Sequence, residues 1–298
     1  MSTPVSLAVI IASLGRPNEV AIALNRLAQQ TRLPDLVILS VEGAGDLPDP
    51  LPDTPALRVE VIEGPRGSSV QRNRALDRLA GHADVVAIFD DDYVPSRHAL
   101  DGIVRSFASF PEASGLCGSL LADGAASMGI TPQEAIRMVE DFDSSFDPTR
   151  DPAQVAGMAG VYGCNMAFRM RDVGDLRFDE NVPLYGWLED SDFGAWLPGP
   201  VIYVDALVGV HCAVKTGRES RGRRLGYSQV MNPVYFWRKG SMSLRRILPL
   251  VLRPIAANIA KSPQPEPWID RKGRLQGNLL ALSDLFRGRV TPGRILKL

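Results

Sequence analysis

The sequence predicts an α/β fold in which a mixed, mostly parallel sheet is flanked by helices and followed by a basic, mainly helical C-terminal extension. Three observations predict it. Short apolar runs alternate with amphipathic stretches through the first hundred or so residues, the rhythm of βαβ units. One apolar run ends in Asp90-Asp91-Asp92, and ligand sites of open α/β sheets lie at the carboxyl ends of their strands. Charge is also divided: residues 1–210 hold 15 Arg, no Lys and 30 acids, whereas residues 211–298 hold 18 bases and 4 acids. Halves of net −15 and +14 therefore meet near His211.

The elements follow from periodicity. Val5–Ala12, Leu36–Val41, Leu57–Ile62 and Asp84–Phe89 read as strands. Glu19–Gln30 reads as a helix because Val20, Ala23, Leu24, Leu27 and Ala28 share one face. Ser68 or Ser69 suits the cap of a helix reaching Leu79, and Ser96 the cap of one reaching Phe107. The predicted order is β-α-β-β-α-β-α. The Pro- and Asp-rich stretch 43–55 reads as a loop, and the acidic stretch Asp141–Pro152 as a mobile one. Val201–Asp205 and Ala206–Val210 read as two strands, with helices from Tyr227 onward. Pro263, Pro265 and Pro267 mark a linker before a last helix near Leu275–Phe286. The expected organisation is a domain over residues 1–212 and an extension over 213–298.

Composition narrows the class. With 298 residues, 45% apolar and 22% charged, disorder and a collagenous repeat are excluded. A chain of this length buries roughly 75% of its unfolded surface without special devices. Three cysteines without a Cys-x-x-Cys pair point to neither a disulfide framework nor a thiolate zinc site, so a reducing cytoplasm is expected. Val5–Leu14 is about half the ~20 residues of a membrane span, and no basic segment precedes it. Leu244–Ala260 is apolar, but Arg245, Arg246, Arg253, Pro249 and Pro254 interrupt it and would be costly at a bilayer centre.

Two acidic clusters carry chemistry. Asp90-Asp91-Asp92 places three like charges at a strand end, which requires a cation or hydrogen bonds in compensation. Hard carboxylate oxygens there suit Mg²⁺ or Mn²⁺ together with substrate phosphates; a solvated acidic turn is the plainer alternative. Trp187-Leu188-Glu189-Asp190-Ser191-Asp192 follows Tyr185 and Gly186. Aromatics beside carboxylates suit a sugar ring and a general base, although acids favoured by a helix N-terminus give the same letters.

The order of these segments resembles the inverting family 2 glycosyltransferases of the GT-A fold. Ala12-Ser13-Leu14-Gly15-Arg16 is similar to that family's nucleotide-contacting turn, and Gly67-Ser68-Ser69-Val70-Gln71-Arg72-Asn73-Arg74 to its Gly-led helix start. Asp90-Asp91-Asp92 stands at its Asp-x-Asp position. Gly163-Cys164-Asn165-Met166-Ala167-Phe168-Arg169 resembles its Gly-x-Asn-x-x-x-Arg strand, and Phe178-Asp179-Glu180 its Phe-Asp-Glu turn. Trp187-Leu188-Glu189-Asp190 fits the Trp-x-Glu-Asp form seen in bacterial galactofuranosyltransferases. The match covers roughly residues 5–212.

The resemblance implies that Asp90, Asp92 and His211 hold Mn²⁺ or Mg²⁺, with Asp91 assisting or contacting the ribose. Ser13, Arg16 and Arg72 would contact the nucleotide. Glu42 stands near the place where many relatives carry a base-contacting Asp, which leaves the base open among UDP, GDP and dTDP, with UDP expected. Asp190 would be the general base of a single inverting displacement, with Trp187 and Glu189 orienting a glycan or lipid-linked acceptor in polysaccharide or glycolipid assembly.

Lys215, Arg218, Arg221, Arg223 and Arg224, separated by Gly217 and Gly222, suit a basic segment folding over phosphates. Leu244–Ala260 suits either a peripheral membrane contact at the inner face or ordinary packing. Nucleic acid is not expected, because no aromatics interleave with these arginines. Asp90-Asp91-Asp92-Tyr93-Val94 also satisfies the opening motif of haloacid-dehalogenase phosphatases, yet every Lys lies at or after Lys215 and that family's later Lys and acidic pair are missing. A non-catalytic nucleotide-sugar-binding scaffold is the third alternative.

Overall fold

The structure is a computed structural model and describes residues 5–157, 160–213 and 222–298. Its contacts divide the chain into two compact units. One comprises Met1–Arg66, Val70–Arg177 and Leu197–Val214; the other comprises Gly67–Ser69, Phe178–Trp196 and Lys215–Leu298.

The first unit is built on an eight-stranded sheet. Its strands are β1 (Leu7–Ala12), β2 (Leu36–Val41), β3 (Val59–Glu63), β4 (Val85–Asp90), β5 (Tyr93–Pro95), β6 (Gly115–Asp123), β7 (Asn165–Arg169) and β8 (Val201–His211). They lie in the order β3-β2-β1-β4-β7-β6-β8-β5. β1 to β4 are mutually parallel, β7 runs against β4 and β6, β8 is parallel to β6, and β5 is antiparallel to β8. The sheet is mostly parallel, as the alternation predicts. Its apolar strands are buried on both faces, and Leu7, Val9, Ile11, Val37, Leu39, Val85 and Ala87 pack in one core with Val20, Leu24 and Leu27 of helix α1 (Pro17–Ala28).

Boundaries move where local chemistry outweighs pattern. The first strand starts at Leu7 because Asp84 accepts from both the backbone N–H and the hydroxyl of Ser6, ending the ladder there. The first helix starts at Pro17, whose fixed φ suits a helix N-terminus. Helix α2 spans Ser68–Leu79. β5 is an addition to the predicted order, and helix α3 (Ala99–Ser109) follows it.

The expected mobile loop at Asp141–Pro152 is corrected in its first five residues, which are helical, while residues 146–152 form a connection. Helix α4 runs from Pro132 to Ser145, capped by Thr131, whose hydroxyl accepts from the Glu134 N–H, and anchored by buried Ala135 and Val139. Asp143 is buried in it, accepting from the Ser96 hydroxyl and the Arg97 N–H. Helix α5 (Met170–Val173) follows β7. The two expected strands after residue 200 are one continuous strand, β8. Asp205 interrupts the apolar pattern, and the pairing with β6 slips there from Gly118–Val204 to Ser119–Val208, but the strand continues, with the Asp205 carboxylate taking hydrogen bonds from Arg150 and the Ala153 N–H.

The second unit holds helix α6 (Glu189–Ala195) and the helices α7 (Gly222–Lys239), α8 (Leu244–Lys261) and α9 (Arg271–Phe286). α7 begins five residues before the expected Tyr227, and α9 begins at Arg271, where the Asp270 carboxylate accepts from the Gly273 N–H. Residues 262–270 form the predicted Pro-rich connection. Tyr227, Val230 and Met231 of α7 pack with Ala281 of α9 and Ile295, while Phe236, Met242, Ile247 and Val182 form a second cluster. α7 and α9 meet closely, because a Cβ on Gly226 would collide with the Arg274 carbonyl and one on Gly277 with the Arg223 carbonyl. Among the described residues no helix is long and apolar enough to cross a membrane.

Candidate metal and nucleotide site

Parallel pairing of β1 with β4 sets Ala12 opposite Asp90, so the turns after both strands emerge at one edge of the sheet. Ser13 and Arg16 follow β1, and Asp91 and Asp92 follow β4. The Ser13 hydroxyl donates to Asp91 Oδ2 at 2.6 Å, and Arg16 Nη1 donates to Asp91 Oδ1 at 2.8 Å and Asp92 Oδ2 at 3.2 Å. Arg72, on α2, donates to Asp90 Oδ1 at 2.8 Å and to the Gly163 carbonyl at 3.3 Å. The compensation that three adjacent carboxylates need is thus supplied by two guanidinium groups and a hydroxyl.

His211 arrives from the far side of the sheet. It ends β8, pairs with Tyr93 of β5 and stands opposite Asp123 of β6. The Cys212 N–H donates to the Asp92 carbonyl at 2.9 Å, which ties this strand end to the acidic turn. His211 Nδ1 lies 2.9 Å from Asp123 Oδ1, and its Nε2 lies 3.6 Å from Asp92 Oδ1. The Tyr162 hydroxyl donates to Asp123 Oδ2 at 2.7 Å, and its ring meets the imidazole edge-on.

Ligand atoms of Asp90, Asp92 and His211 all lie within 4.8 Å of one another. The set fits a divalent ion: two carboxylates and one imidazole, with Asp123 engaging Nδ1 and Nε2 turned toward Asp92. A carboxylate behind the histidine fixes its tautomer and ring orientation, the usual support of a metal-bound imidazole.

The electrostatics follow from burial and neighbours. Burial pushes the Asp91 carboxyl up to about 7, with Asp92 adding repulsion and Arg16 and Ser13 opposing. Burial works against the charged forms of Arg16 and His211, but Asp91 and Asp92 raise Arg16, and Asp123, Asp92 and Asp90 raise His211. Burial would likewise raise Asp123, yet hydrogen bonds from His211, the Ala125 N–H and Tyr162 bring it down to about 2.

Sequence reasoning missed three residues here. Asp123 and Tyr162 are far from His211 in the chain; the register of β6 and β8 brings Asp123 opposite it, and Tyr162 reaches both from the turn before β7. The third is Asp46, which accepts from the N–H groups of Gly15, Glu42 and Gly43 and so joins the turn after β1 to the loop after β2. Glu42 itself stands just past β2 with an exposed side chain.

Trp187, Glu189 and Asp190 belong to the second unit. Leu188 has φ +76°, and the Glu189 N–H donates to the Gly186 carbonyl, turning the chain into α6. Three acids, Glu189, Asp190 and Asp192, occupy the first turn of α6, where the helix macrodipole favours negative charge. Glu189 is buried and accepts from the Ser68 hydroxyl at 2.8 Å, and the Trp187 carbonyl accepts from Asn232. Asp192 is fully buried and is held by Lys239 Nζ at 2.6 Å; the same ammonium reaches Asp179 at 2.7 Å. Asp190 is half-buried and accepts from the Ser191 N–H at 2.6 Å. Of the basic segment singled out in the sequence, Lys215, Arg218 and Arg221 lie outside the described residues, whereas Arg223 and Arg224 begin α7.

No protein-family model matches the chain, and no curated protein matches it. Solved structures do. The chain is similar to a mannosyltransferase from Pyrobaculum calidifontis in complex with GDP-Man and Mn²⁺, with a TM-score of 0.58 and 19% identity over 99% of this chain and 86% of that one. S. aureus TarS (residues 1–349) matches with a TM-score of 0.49 and 12% identity over 95% of this chain and 92% of that one. Glucosyl-3-phosphoglycerate synthase from Mycobacterium tuberculosis, in complex with Mn²⁺, UDP and glucosyl-3-phosphoglycerate, matches with 0.45 and 14% over 70% and 72%. At these identities the likeness concerns architecture, and it is the mannosyltransferase that carries it: the chain has the mixed α/β fold of the GT-A glycosyltransferases.

Proposed function

We propose that the protein is a metal-dependent inverting glycosyltransferase of the family 2 type, moving a sugar from a nucleotide-diphosphate sugar to a hydroxyl of a glycan or lipid-linked saccharide. The observation that carries this reading is the convergence of Asp90, Asp92 and His211 at the carboxyl edge of a GT-A sheet. These three residues would hold Mn²⁺ or Mg²⁺, which when bound offsets the charge growing on a departing nucleoside diphosphate.

The remaining work falls to side chains. Asp123 and Tyr162 hold the His211 ring. Arg16 and Ser13 fix Asp91, leaving it beside the donor's ribose in this reading, and Arg72 orients Asp90. Asp190 takes the proton of the incoming hydroxyl, Trp187 walls the acceptor ring, and Glu189 orients it. The new bond joins the acceptor oxygen to the anomeric carbon as the bond from that carbon to the diphosphate oxygen breaks on the opposite face. Configuration therefore inverts, the electron pair leaves with the diphosphate, and the proton rests on Asp190. The Pyrobaculum mannosyltransferase was solved with GDP-Man, so GDP stands beside UDP and dTDP as a donor to test. Polysaccharide or glycolipid assembly in the cytoplasm is the setting this chemistry suits.

Calorimetric titration of UDP, GDP and dTDP with and without Mn²⁺ tests the reading. One nucleotide is expected to bind only with the metal, and Asp92→Asn to weaken that binding at least about tenfold. Absence of nucleotide binding under every condition would overturn it.

A further inference from the structure

Helix α8 has two apolar faces, and only one of them is covered. Ile247 is buried with Val182, Phe236 and Met242, while Val251 and Ile255 pack against the Tyr227 cluster. On the other side Leu244, Leu248, Leu252 and Ile259 are 49%, 47%, 57% and 58% exposed. Their spacing of four, four and seven places them along one line of the helix, and Pro249, Ala256 and Ala260 are exposed beside them. Four large aliphatic side chains aligned toward solvent form a patch of the kind that marks an interaction surface.

The charges around the patch identify what it fits. Arg245 and Arg253 are exposed at its flank, Lys261 ends the helix, and α8 contains no acid. Residues 222–298 carry 15 bases and 3 acids. All three acids are engaged within the unit: Glu266 by Arg271 and Lys261, Asp270 as the cap of α9, and Asp284 by Tyr227 and Arg294. A second copy laid face to face would set the arginines of this face against their own counterparts with no acid between them. A bilayer surface rich in anionic headgroups offers both an apolar layer for the leucines and negative charge for the arginines.

We propose that the outward face of α8 docks the protein on an anionic lipid bilayer. The helix, about 27 Å long at 1.5 Å per residue, lies in the plane of the headgroups with Leu244, Leu248, Leu252 and Ile259 immersed and Arg245 and Arg253 among the phosphates. Its two prolines and its arginines are tolerated in that orientation, since the helix lies along the interface instead of crossing it. The inference stands on α8 and the charges of residues 222–298 and is independent of the reaction assigned above.

The test is flotation of the full chain with vesicles of phosphatidylcholine, alone or mixed with phosphatidylglycerol. Binding to the mixed vesicles is expected, at least about tenfold weaker on phosphatidylcholine alone and steeply reduced by salt. Leu248→Ser with Leu252→Ser should lower it about tenfold and Arg245→Gln with Arg253→Gln several-fold. All four positions are exposed, so unchanged thermal unfolding of both variants certifies that the fold is kept. Failure of the wild-type chain to float, or equal flotation of the leucine variant, would overturn the proposal. So would a dimer in analytical ultracentrifugation that the leucine substitutions dissolve, which would make the face a contact between copies.

Discussion

The two acidic clusters of this protein are held in opposite ways. In the first unit, Asp90, Asp91 and Asp92 sit at a strand end, and each carboxylate meets a guanidinium that reaches it from another element. In the second, the flanking acids are the ones locked: Glu189 by Ser68 and Asp192 by Lys239, with half-buried Asp190 between them. The contrast teaches what each cluster is suited to. In the function proposed above, the first cluster supplies ligands for an ion, which must converge and stay still, and strand register and charge pairs suit that. The same proposal asks of Asp190 one carboxylate presented at a set position, and fixed neighbours on a short helix suit that.

The largest expected effect separates the clusters directly. Asp190→Asn should lower kcat by about a thousandfold or more while nucleotide binding in Mn²⁺ stays within about twofold, a loss confined to the transition state. Equal turnover in that variant, read by product assay, would remove Asp190 from the role of base.

Next in size is the lock on α6. Lys239→Met leaves Asp192, which is fully buried, without its cation. Breaking a buried pair costs about 3–5 kcal/mol, and the partial exposure of Lys239 brings the expectation to about 2 kcal/mol in urea unfolding. A change well under about 0.5 kcal/mol would show that the pair contributes little.

The same contact sets a smaller, pH-dependent term. Burial alone would raise Asp179, but the Lys239 hydrogen bond, the Asn181 N–H and the Lys239 charge hold it below its ordinary value of 3.8. The unfolded chain therefore binds more protons in that range, so this stabilisation is present above the ordinary value and is lost as pH falls through the folded one. Lys239 is raised above its ordinary 10.5, burial being outweighed by Asp179 and Asp192, so its share is complete below that value and is lost only as pH rises through the folded one. Melting temperatures between pH 5 and pH 3 should fall less steeply in Lys239→Met than in the wild type, and parallel curves would sink the assignment.

Much of the first unit was legible because its strands are buried on both faces. Leu36–Val41 is a run of apolar residues broken only by Ser40, and its bounds match those observed. Asp90 to Asp92 announced themselves by the cost of adjacent charges. His211 became a candidate only through the family resemblance, since a single histidine carries no pattern. Asp123, Tyr162 and Asp46 had no local signal at all, because each works through a pairing set by tertiary structure. The loop expected at Asp141–Pro152 begins five residues too early for a similar reason: the acids that suggest solvent include Asp143, which is buried in the helix against Ser96 and Arg97. In the second unit, where helices are expected from Tyr227 onward, α8 continues through both Pro249 and Pro254, with Ile247, Val251 and Ile255 packed on its inner side.

Pairing of Asp123 with His211 is written into the register of β6 and β8. The ladder is irregular at Gly118/Ser119 and at Leu120/Ala122, and beyond these points Ala122 meets Val210 and Asp123 meets His211 in regular register; side chains on a strand alternate between faces, so one residue gained or lost in that last stretch would turn one partner to the opposite side of the sheet. The chain between the two strands is tied to the pair at several points: the Ala125 N–H and the Tyr162 hydroxyl both donate to Asp123, and Ala135 and Val139 pack with Val210 and Cys212. The exposed stretch 147–151 can lengthen, shorten or change composition without disturbing the pair. Diversification is thereby channelled: that stretch has freedom to explore new recognition, while the histidine and its carboxylate are inherited together or lost together.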